Sequence, residues 1–267
     1  MLSFTAHRGL FDSNFDIAEN TEASIKLALT LNMDIEIDVR MTKDGELVLN
    51  HNPDIFGLMI HKTKYSVLKK YYPRLYKFSD CIELLSNNQF KNRLFVEVKS
   101  FDDKFIRDKE VLVKVYSILK DTKINYLMTS MNPKLLIEYD KITSSSIELG
   151  IISYGFGNYR GQLPNRLCDQ LSVMSILNTH PGLVNNIIYS KSLSSESIEK
   201  YKDLGYKIYL WTYRAADIDQ IDYDKLRLID GITVEPSLFS NSLQVGNLQS
   251  EFDEFKSLIS ENLCPVS

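Results

Sequence analysis

Two short segments of the sequence place acidic side chains on otherwise apolar, strand-like stretches. In residues 34–39 acidic and apolar residues alternate, so two acids project from one face of a strand and the apolar side chains project from the other. In residues 94–99 an acid and Lys99 share a face in the same way. Acids on core strands need a positive partner, and Mg²⁺ and Ca²⁺ favour carboxylate oxygens. The sequence therefore predicts a site for a divalent metal ion, Mg²⁺ or Ca²⁺, formed by Glu36, Asp38 and Glu97.

The alternative to a metal site is a structural ion network, in which the same carboxylates pair with Arg8, Arg40 and Lys99. Three carboxylates on one rim repel one another and raise each other's pKa unless positive charge lies close by. The scarcity of cysteine and histidine favours an oxygen-rich metal shell over a zinc site.

Two of the four histidines, His7 and His51, are candidates for general acid–base catalysis. Both follow strand-like segments, and imidazole titrates near neutral pH, so one ring can accept a proton while the other donates one. The sequence does not assign the two roles. His61 and His180 have no comparable setting and are predicted to be structural.

Positive side chains close to these histidines predict an anionic substrate. The guanidinium of Arg8 suits phosphate oxygens, and the ammonium of Lys99 acts as a point charge. Positive groups stabilise charge on phosphoryl oxygens while histidines move protons, which is the chemistry needed to attack a phosphodiester. Trp211, the only tryptophan, is predicted either to fill the core or to form a wall for the alcohol part of the substrate.

Composition and charge narrow the remaining possibilities. The net charge of −4 indicates no general affinity for nucleic acid. The three cysteines are widely spaced and match neither zinc nor disulfide spacings. The sequence shows no signal peptide and no apolar run of ~20 residues. We therefore expect a cytoplasmic protein without a transmembrane segment. Lys62 to Lys77 holds six basic residues, four tyrosines and no acid. We expect this run to be a solvated face, with binding of an anionic polymer or of membrane headgroups as the alternative.

Strand-like and helical segments alternate along the chain, which favours a parallel sheet. About eight such units within ~250 residues favour a closed barrel over an open sheet. We therefore predict one α/β domain over residues 1–267, a (β/α)8 TIM barrel with a small insertion after the second strand, at about residues 52–92. The predicted strands lie at about residues 2–6, 34–39, 46–50, 94–99, 126–129, 147–152, 171–177, 206–211 and 228–234.

The candidate residues fall where an enzyme of this fold holds its active site. In (β/α)8 barrels the catalytic groups lie at the carboxyl ends of the strands. The ends of the predicted strands hold His7, Arg8, Glu36, Asp38, Glu97, Lys99 and Trp211.

Eight short motifs follow one another along the chain: Ala6-His7-Arg8-Gly9, Glu19-Asn20-Thr21, Glu36-Ile37-Asp38-Val39, Thr42-Lys43-Asp44-Gly45, His51, Glu97-Val98-Lys99, Trp211-Thr212 and Asp230-Gly231-Ile232. Their order resembles that of the glycerophosphodiester phosphodiesterase family. The resemblance implies a (β/α)8 barrel that uses a divalent metal to hydrolyse glycerophosphodiesters to glycerol 3-phosphate and an alcohol. By position, His7 and His51 resemble the acid–base pair of the family; Glu36, Asp38 and Glu97 resemble its metal ligands; Arg8, Lys99 and Glu19 resemble its phosphate- and site-organising residues.

The chain also departs from the family pattern. Ala18 stands where the family usually has proline, and Asn52 stands where an aspartate normally follows the second histidine. Arg214 replaces a usual asparagine, and the turn from Gly231 to Pro236 is atypical. These changes leave the proposed catalytic groups in place but bear on the choice of substrate.

The sequence therefore predicts a metal-dependent phosphodiesterase acting on a small glycerophosphodiester-like molecule. One alternative is a phospholipase-D-like lyase, which forms a cyclic phosphate from a choline- or ethanolamine-bearing lipid. Another is an inactive barrel that binds a polyanion through Lys62 to Lys77. The sequence does not indicate the head group or the oligomeric state.

Overall fold

The computed structural model describes residues 2–11, 16–100, 106–153, 177–238 and 247–263. The strands of these residues are β1 (Ser3–Ala6), β2 (Asp34–Met41), β3 (Leu47–Leu49), β4 (Asp54–Ile55), β5 (Leu58–Met59), β6 (Tyr76–Lys77), β7 (Arg93–Val98), β8 (Asn125–Ser130), β9 (Leu149–Ser153), β10 (Asn186–Ser190), β11 (Lys207–Tyr213) and β12 (Gly231–Val234). The helices are α1 (Glu22–Thr30), α2 (Tyr65–Tyr71), α3 (Phe78–Asn87), α4 (Ile106–Leu119), α5 (Pro133–Thr143), α6 (Ser195–Asp203), α7 (Tyr223–Leu228) and α8 (Leu248–Leu263).

Eight parallel strands within the described ranges close into a barrel. Their order around the barrel is β1, β2, β7, β8, β9, β10, β11 and β12, and β12 pairs in parallel with β1 to complete the ring. Helices follow most of these strands in the chain, as parallel strand connections require. The predicted (β/α)8 barrel is therefore confirmed.

Capping residues set the starts of several helices. Thr21 begins α1 with a reciprocal capping box to Ser24. Asn132 caps α5, where its side chain accepts a bond from the backbone N–H of Lys134, and Pro133 occupies the first turn. These two helices therefore begin where a side chain can satisfy one of the first backbone N–H groups.

The two faces of the barrel strands serve different purposes. On β2, the outward side chains of Ile35, Ile37 and Val39 are fully buried in the layer between strands and helices. Full burial of such a side chain stabilises the fold by about 1.5–3 kcal/mol. A separate apolar cluster is formed by Phe95, Leu127, Ile152, Ile188 and Tyr209. Because Phe95 shares its strand face with Glu97, this cluster fills the barrel below the acidic side chains.

The chain between β2 and β7, residues 42–92, leaves the barrel as an excursion. Strand β3 pairs antiparallel with β2, and β6 pairs antiparallel with β3. The β4–β5 hairpin and α2 pack on a small apolar core of their own, formed by Val48, Ile55, Ile60, Leu68 and Leu75. The excursion is anchored on β2 immediately beside the carboxyl end that holds the acids.

The sixth strand of the barrel differs from the prediction. It is Asn186–Ser190, which pairs with β9 on one side and β11 on the other. The strand expected at Leu171 to Leu177 lies outside the described residues except for Leu177, which belongs to a helical turn. The eight described strands close the ring. No helix within the described ranges is both long enough and apolar enough to cross a membrane.

Candidate active site

Three carboxylates converge at the carboxyl ends of two neighbouring strands. Glu36 and Asp38 lie on β2, and Glu97 lies on β7 directly beside Asp38 in the strand register. One ligand oxygen from each residue lies within 4.8 Å of the other two. Asp38 and Glu97 are almost fully buried, with 1% and 7% of their surface exposed. The period-two alternation of the sequence thus places these acids on one face.

Basic side chains already neutralise part of this charge. The Lys99 Nζ atom lies 2.9 Å from Asp38 Oδ1 and 2.5 Å from Glu97 Oε1. The Arg8 Nε atom lies 3.5 Å from Asp38 Oδ2. Glu36 instead accepts a bond from the backbone N–H of Arg8 at 2.9 Å. Two carboxylates of the predicted metal cluster, Asp38 and Glu97, therefore also form part of the predicted ion network, through Lys99 and Arg8.

The pKa values of the three acids differ because their partners differ. Burial raises the pKa of Glu36 well above its usual value, and repulsion from Asp38 and Glu97 adds to this effect. Burial also raises the pKa of Glu97, against the attraction of Lys99. For Asp38, burial is outweighed by Lys99 and Arg8, which lower its pKa to about 2. A cation between the carboxylates would relieve the remaining repulsion, and an all-oxygen donor set fits Mg²⁺ or Ca²⁺.

Asn20 fixes the orientation of Asp38. Its side-chain Nδ2 donates to Asp38 Oδ2 at 2.8 Å, and its Oδ1 accepts from the backbone N–H of Asp38 at 3.0 Å. Asn20 is 2% exposed and adopts a φ of 56°, which asparagine tolerates better than most residues. Asn20 is not among the predicted site residues, although the motif Glu19-Asn20-Thr21 contains it.

The turn after β1 brings Arg8 to the acids. Gly9 has a φ of 67°, and a Cβ atom there would lie 2.5 Å from Ser24 Oγ on α1. The Gly9 N–H donates to the Glu36 carbonyl oxygen at 2.9 Å. The Arg8 guanidinium is held from the other side by Glu19, whose Oε2 accepts from NH1 at 2.7 Å. Glu19 thus holds the Arg8 guanidinium in place.

The two candidate histidines follow strands at the same end of the barrel. His7 follows β1 and is 8% exposed, and its Nδ1 lies 3.1 Å from Oε1 of Glu235. Burial lowers the pKa of His7, while the bond to Glu235 acts in the opposite direction. Glu235 is not among the predicted site residues, because the 228 positions that separate it from His7 leave no local signal to find it.

His51 has a different neighbourhood. Its ring Nδ1 lies 3.1 Å from Oδ1 of Asn52, and its carbonyl oxygen accepts bonds from Arg40 Nε at 3.0 Å and NH2 at 2.6 Å. Burial lowers the pKa of the partly exposed His51 ring, and Lys99 lowers it further. Arg40, which the ion-network alternative paired with the acids, therefore binds the backbone of His51 instead.

The remaining candidates lie around or away from this site. Trp211 on β11 is partly buried against the apolar cluster inside the barrel. In the basic run, Lys77 pairs with Glu46 and Arg74 pairs with Asp16, so part of its charge is used structurally. His61 and His180 lie in the excursion and in the segment before β10.

Comparisons with known proteins agree with this arrangement. The sequence model of the glycerophosphoryl diester phosphodiesterase family matches residues 7–69. The matched stretch holds six of the predicted site residues, namely His7, Arg8, Glu19, Glu36, Asp38 and His51. No curated protein matches the chain by sequence.

Several solved structures share the fold. A glycerophosphodiester phosphodiesterase from Parabacteroides distasonis is 19% identical, with a TM-score of 0.70 over 98% of each chain. One from Thermotoga maritima is 22% identical, with a TM-score of 0.64 over 88% of this chain and 94% of that chain. A phosphodiesterase from Oleispira antarctica, in complex with the product sn-glycerol-3-phosphate, is 18% identical, with a TM-score of 0.66 over 94% of this chain and 96% of that chain. These similarities establish the shared barrel.

The family match over residues 7–69 and the shared barrel make this chain similar to phosphoric diester hydrolases. The resemblance to the glycerophosphodiester phosphodiesterase family that the motifs predicted is thereby confirmed. Glu97, Lys99 and Trp211 lie beyond the matched stretch. Their link to the site comes from their positions on or directly after β7 and on β11.

Proposed function

We propose that the protein hydrolyses a glycerophosphodiester to glycerol 3-phosphate and an alcohol, with a divalent cation, Mg²⁺ or Ca²⁺, held by Glu36, Asp38 and Glu97. The convergence of these three carboxylates within 4.8 Å is the observation that most supports the proposal. The cation would supply a Lewis acid that polarises the phosphoryl group and offsets its charge.

In the proposed reaction the two imidazoles move the protons. One of His7 and His51 takes a proton from water, or from a neighbouring hydroxyl of the substrate, as the oxygen bonds to phosphorus. The other gives a proton to the alcohol oxygen as its bond to phosphorus breaks. Because burial lowers both pKa values, each ring is neutral near pH 7 before the substrate binds, and an anionic substrate favours protonation of the ring that must act as the acid.

Arg8 and Lys99 would bind the phosphate oxygens in this scheme. Both are held in place before the substrate arrives, Arg8 by Glu19 and Lys99 by two carboxylates. Fixed positive groups stabilise developing charge without reorganising at the moment of reaction. Trp211, at the same rim, would form a wall for the alcohol part of the substrate.

The setting of this activity is also part of the proposal. We assign the protein a small-molecule ligand, no nucleic-acid partner and a cytoplasmic location. Its 267 residues form one domain in this proposal, and that domain includes the insertion at about residues 52–92. Cys81 is buried and free, which is compatible with a reducing compartment. Cys168 and Cys264 lie outside the described residues.

A product assay tests the proposed function. The protein is incubated with added Mg²⁺ or Ca²⁺ and a panel of choline, ethanolamine, inositol and polymeric glycerophosphate diesters, and the products are identified by ³¹P NMR. We expect glycerol 3-phosphate, and we expect its formation to be lost in both His7→Ala and His51→Ala. Glu148→Gln, which changes an ion pair with Arg93 and Lys207 at the opposite end of the barrel, serves as the matched control.

Other results would favour the alternative functions. A cyclic phosphate as the final product would indicate the lyase. No turnover of any diester and no bound cation would indicate an inactive polyanion-binding barrel. Near-normal turnover in either histidine variant would contradict the acid–base scheme.

A further inference from the structure

Glu235 and Arg214 extend the site beyond the residues that the motifs predicted. Glu235 Oε1 lies 3.1 Å from His7 Nδ1, and its other oxygen, Oε2, accepts a bond from Arg214 Nε at 2.9 Å. The three side chains follow three neighbouring strands, β1, β12 and β11. Glu235 is partly buried, with 14% of its side chain exposed, whereas Arg214 reaches the surface. A continuous chain of contacts therefore runs from the surface to His7.

The backbone holds Glu235 in position for this contact. Its N–H donates to the carbonyl oxygen of Tyr213 at 3.0 Å, which ties it to the end of β11. The N–H of His7 donates to the Val234 carbonyl oxygen at 3.1 Å, which ties the histidine to the end of β12. Pro236 follows Glu235 and restricts it to an extended backbone. Both partners are therefore placed by the strands rather than by mobile side chains.

We propose that Glu235 is a positioning residue that holds His7 in the tautomer with its proton on Nδ1. Nε2 is then the atom that accepts a proton from the attacking oxygen. Arg214 anchors the far oxygen of Glu235, Oε2. This inference rests on the proposed function, because it assigns His7 the role of base in that reaction. His51, whose ring contacts the neutral amide of Asn52, is then the proton donor.

The chemistry of the two groups leads to this tautomer. An ionised carboxylate can only accept hydrogen bonds, and a neutral imidazole has one N–H and one bare nitrogen. Burial raises the pKa of Glu235, but its bonds to His7 and Arg214 outweigh this effect and lower the pKa below its usual value. The nitrogen that faces the carboxylate must therefore be the donor. In the reaction, Nε2 takes the proton of water as the water oxygen bonds to phosphorus, and Glu235 stabilises the imidazolium that forms.

Several charged groups act on the His7 ring. Arg8, the next residue, lowers its pKa, whereas Asp38 on β2 and Glu235 after β12 raise it; burial, the largest effect, lowers it. Removing the charge of Glu235 should therefore lower the pKa of His7. In the hydrolysis reaction, the acidic limb of the kcat/KM profile should move to lower pH, because a base with a lower pKa stays deprotonated further into the acid range.

The test combines kinetics with a direct measurement on the histidine. Glu235→Gln keeps the size of the side chain and removes its charge, Glu235→Asp keeps the charge and shortens the reach, and Arg214→Gln removes the anchor. We expect Glu235→Gln to lower kcat by about 10- to 100-fold, with KM changed by less than about twofold and the acidic limb shifted to lower pH. Glu235→Asp should keep the limb close to that of the wild type, and Glu148→Gln should change neither quantity.

Nitrogen-15 NMR of labelled histidine reads the tautomer without reference to activity. Four histidines give four ring systems, and the His7→Ala spectrum identifies the signals of His7. We expect the proton on Nδ1 in the wild type and a mixture of tautomers in Glu235→Gln. This measurement also shows whether each variant remains folded.

The results separate the two proposals. Two results would overturn the role of Glu235 and leave the proposed function intact. One is a wild-type His7 with its proton on Nε2. The other is a Glu235→Gln enzyme with unchanged kcat and pH profile while His7→Ala is inactive. Near-normal turnover in His7→Ala would overturn both.

Discussion

Replacing Glu36 by glutamine should stabilise the metal-free protein while removing its response to metal. Two unit charges 4.8 Å apart, the outer limit of the carboxylate cluster, repel by about 3.5 kcal/mol at an effective dielectric constant of ~20. Glu36 is repelled by two such neighbours, Asp38 and Glu97, and the attraction of Lys99 offsets about one of these two repulsion energies. Glu36 also escapes part of the repulsion by protonating, because burial and its neighbours raise its pKa. We therefore expect a gain of about 1–2 kcal/mol in the free energy of unfolding at pH 8.

Urea unfolding of EDTA-treated protein measures this gain. The gain should shrink as the pH falls, because protonation of Glu36 in the wild type removes the same charge that the substitution removes. Adding Mg²⁺ or Ca²⁺ should stabilise the wild type by mass action and leave Glu36→Gln almost unchanged. Glu46→Gln is the matched control, since it breaks an ion pair with Lys77 far from the cluster and should bring no gain. A less stable Glu36→Gln, or an equal response of both proteins to metal, would refute this reasoning.

Three further substitutions test the parts that support the site. Asn20→Ala leaves the buried N–H of Asp38 without its acceptor, so it should lower the free energy of unfolding by about 1–3 kcal/mol. Urea denaturation measures this loss, and a change below about 0.5 kcal/mol would contradict the structural role of Asn20. Gly9→Ala places a side chain at a left-handed backbone position and against Ser24, so it should lower the free energy of unfolding by about 1–3 kcal/mol or more in the same measurement. Gly57→Ala is the control, because Gly57 also has a positive φ but has open space around it; its loss should be smaller. Asn52→Asp places a negative charge beside the His51 ring, so the pH–rate limb that belongs to His51 should move to higher pH; an unmoved profile would show that His51 does not control the rate.

Local patterns predicted much of the site. Glu36 and Asp38 share a face because alternation along a strand is a property of neighbouring residues, and the same holds for Glu97 and Lys99. The barrel followed from the alternation of strands and helices, and its carboxyl-end rim followed from the fold class. These inferences needed no knowledge of which distant segments touch.

Contacts between distant segments were the part that the sequence could not supply. The pairing of Glu235 with His7 depends on the register of β12 against β1, which only closure of the barrel determines. The role of Asn20 depends on a turn that brings its side chain onto Asp38. The sixth strand was missed because Asn186–Ser190 has only three apolar residues between polar flanks, while residues 171–177 present more apolar side chains.

Isothermal titration calorimetry of the EDTA-treated protein with Mg²⁺ or Ca²⁺ tests the proposed metal site most directly. We predict one bound ion per chain in the wild type and in Glu148→Gln, and no measurable binding in Glu36→Gln or Glu97→Gln. Binding of equal strength in Glu97→Gln, or no binding in the wild type, would contradict the assignment of these carboxylates as metal ligands.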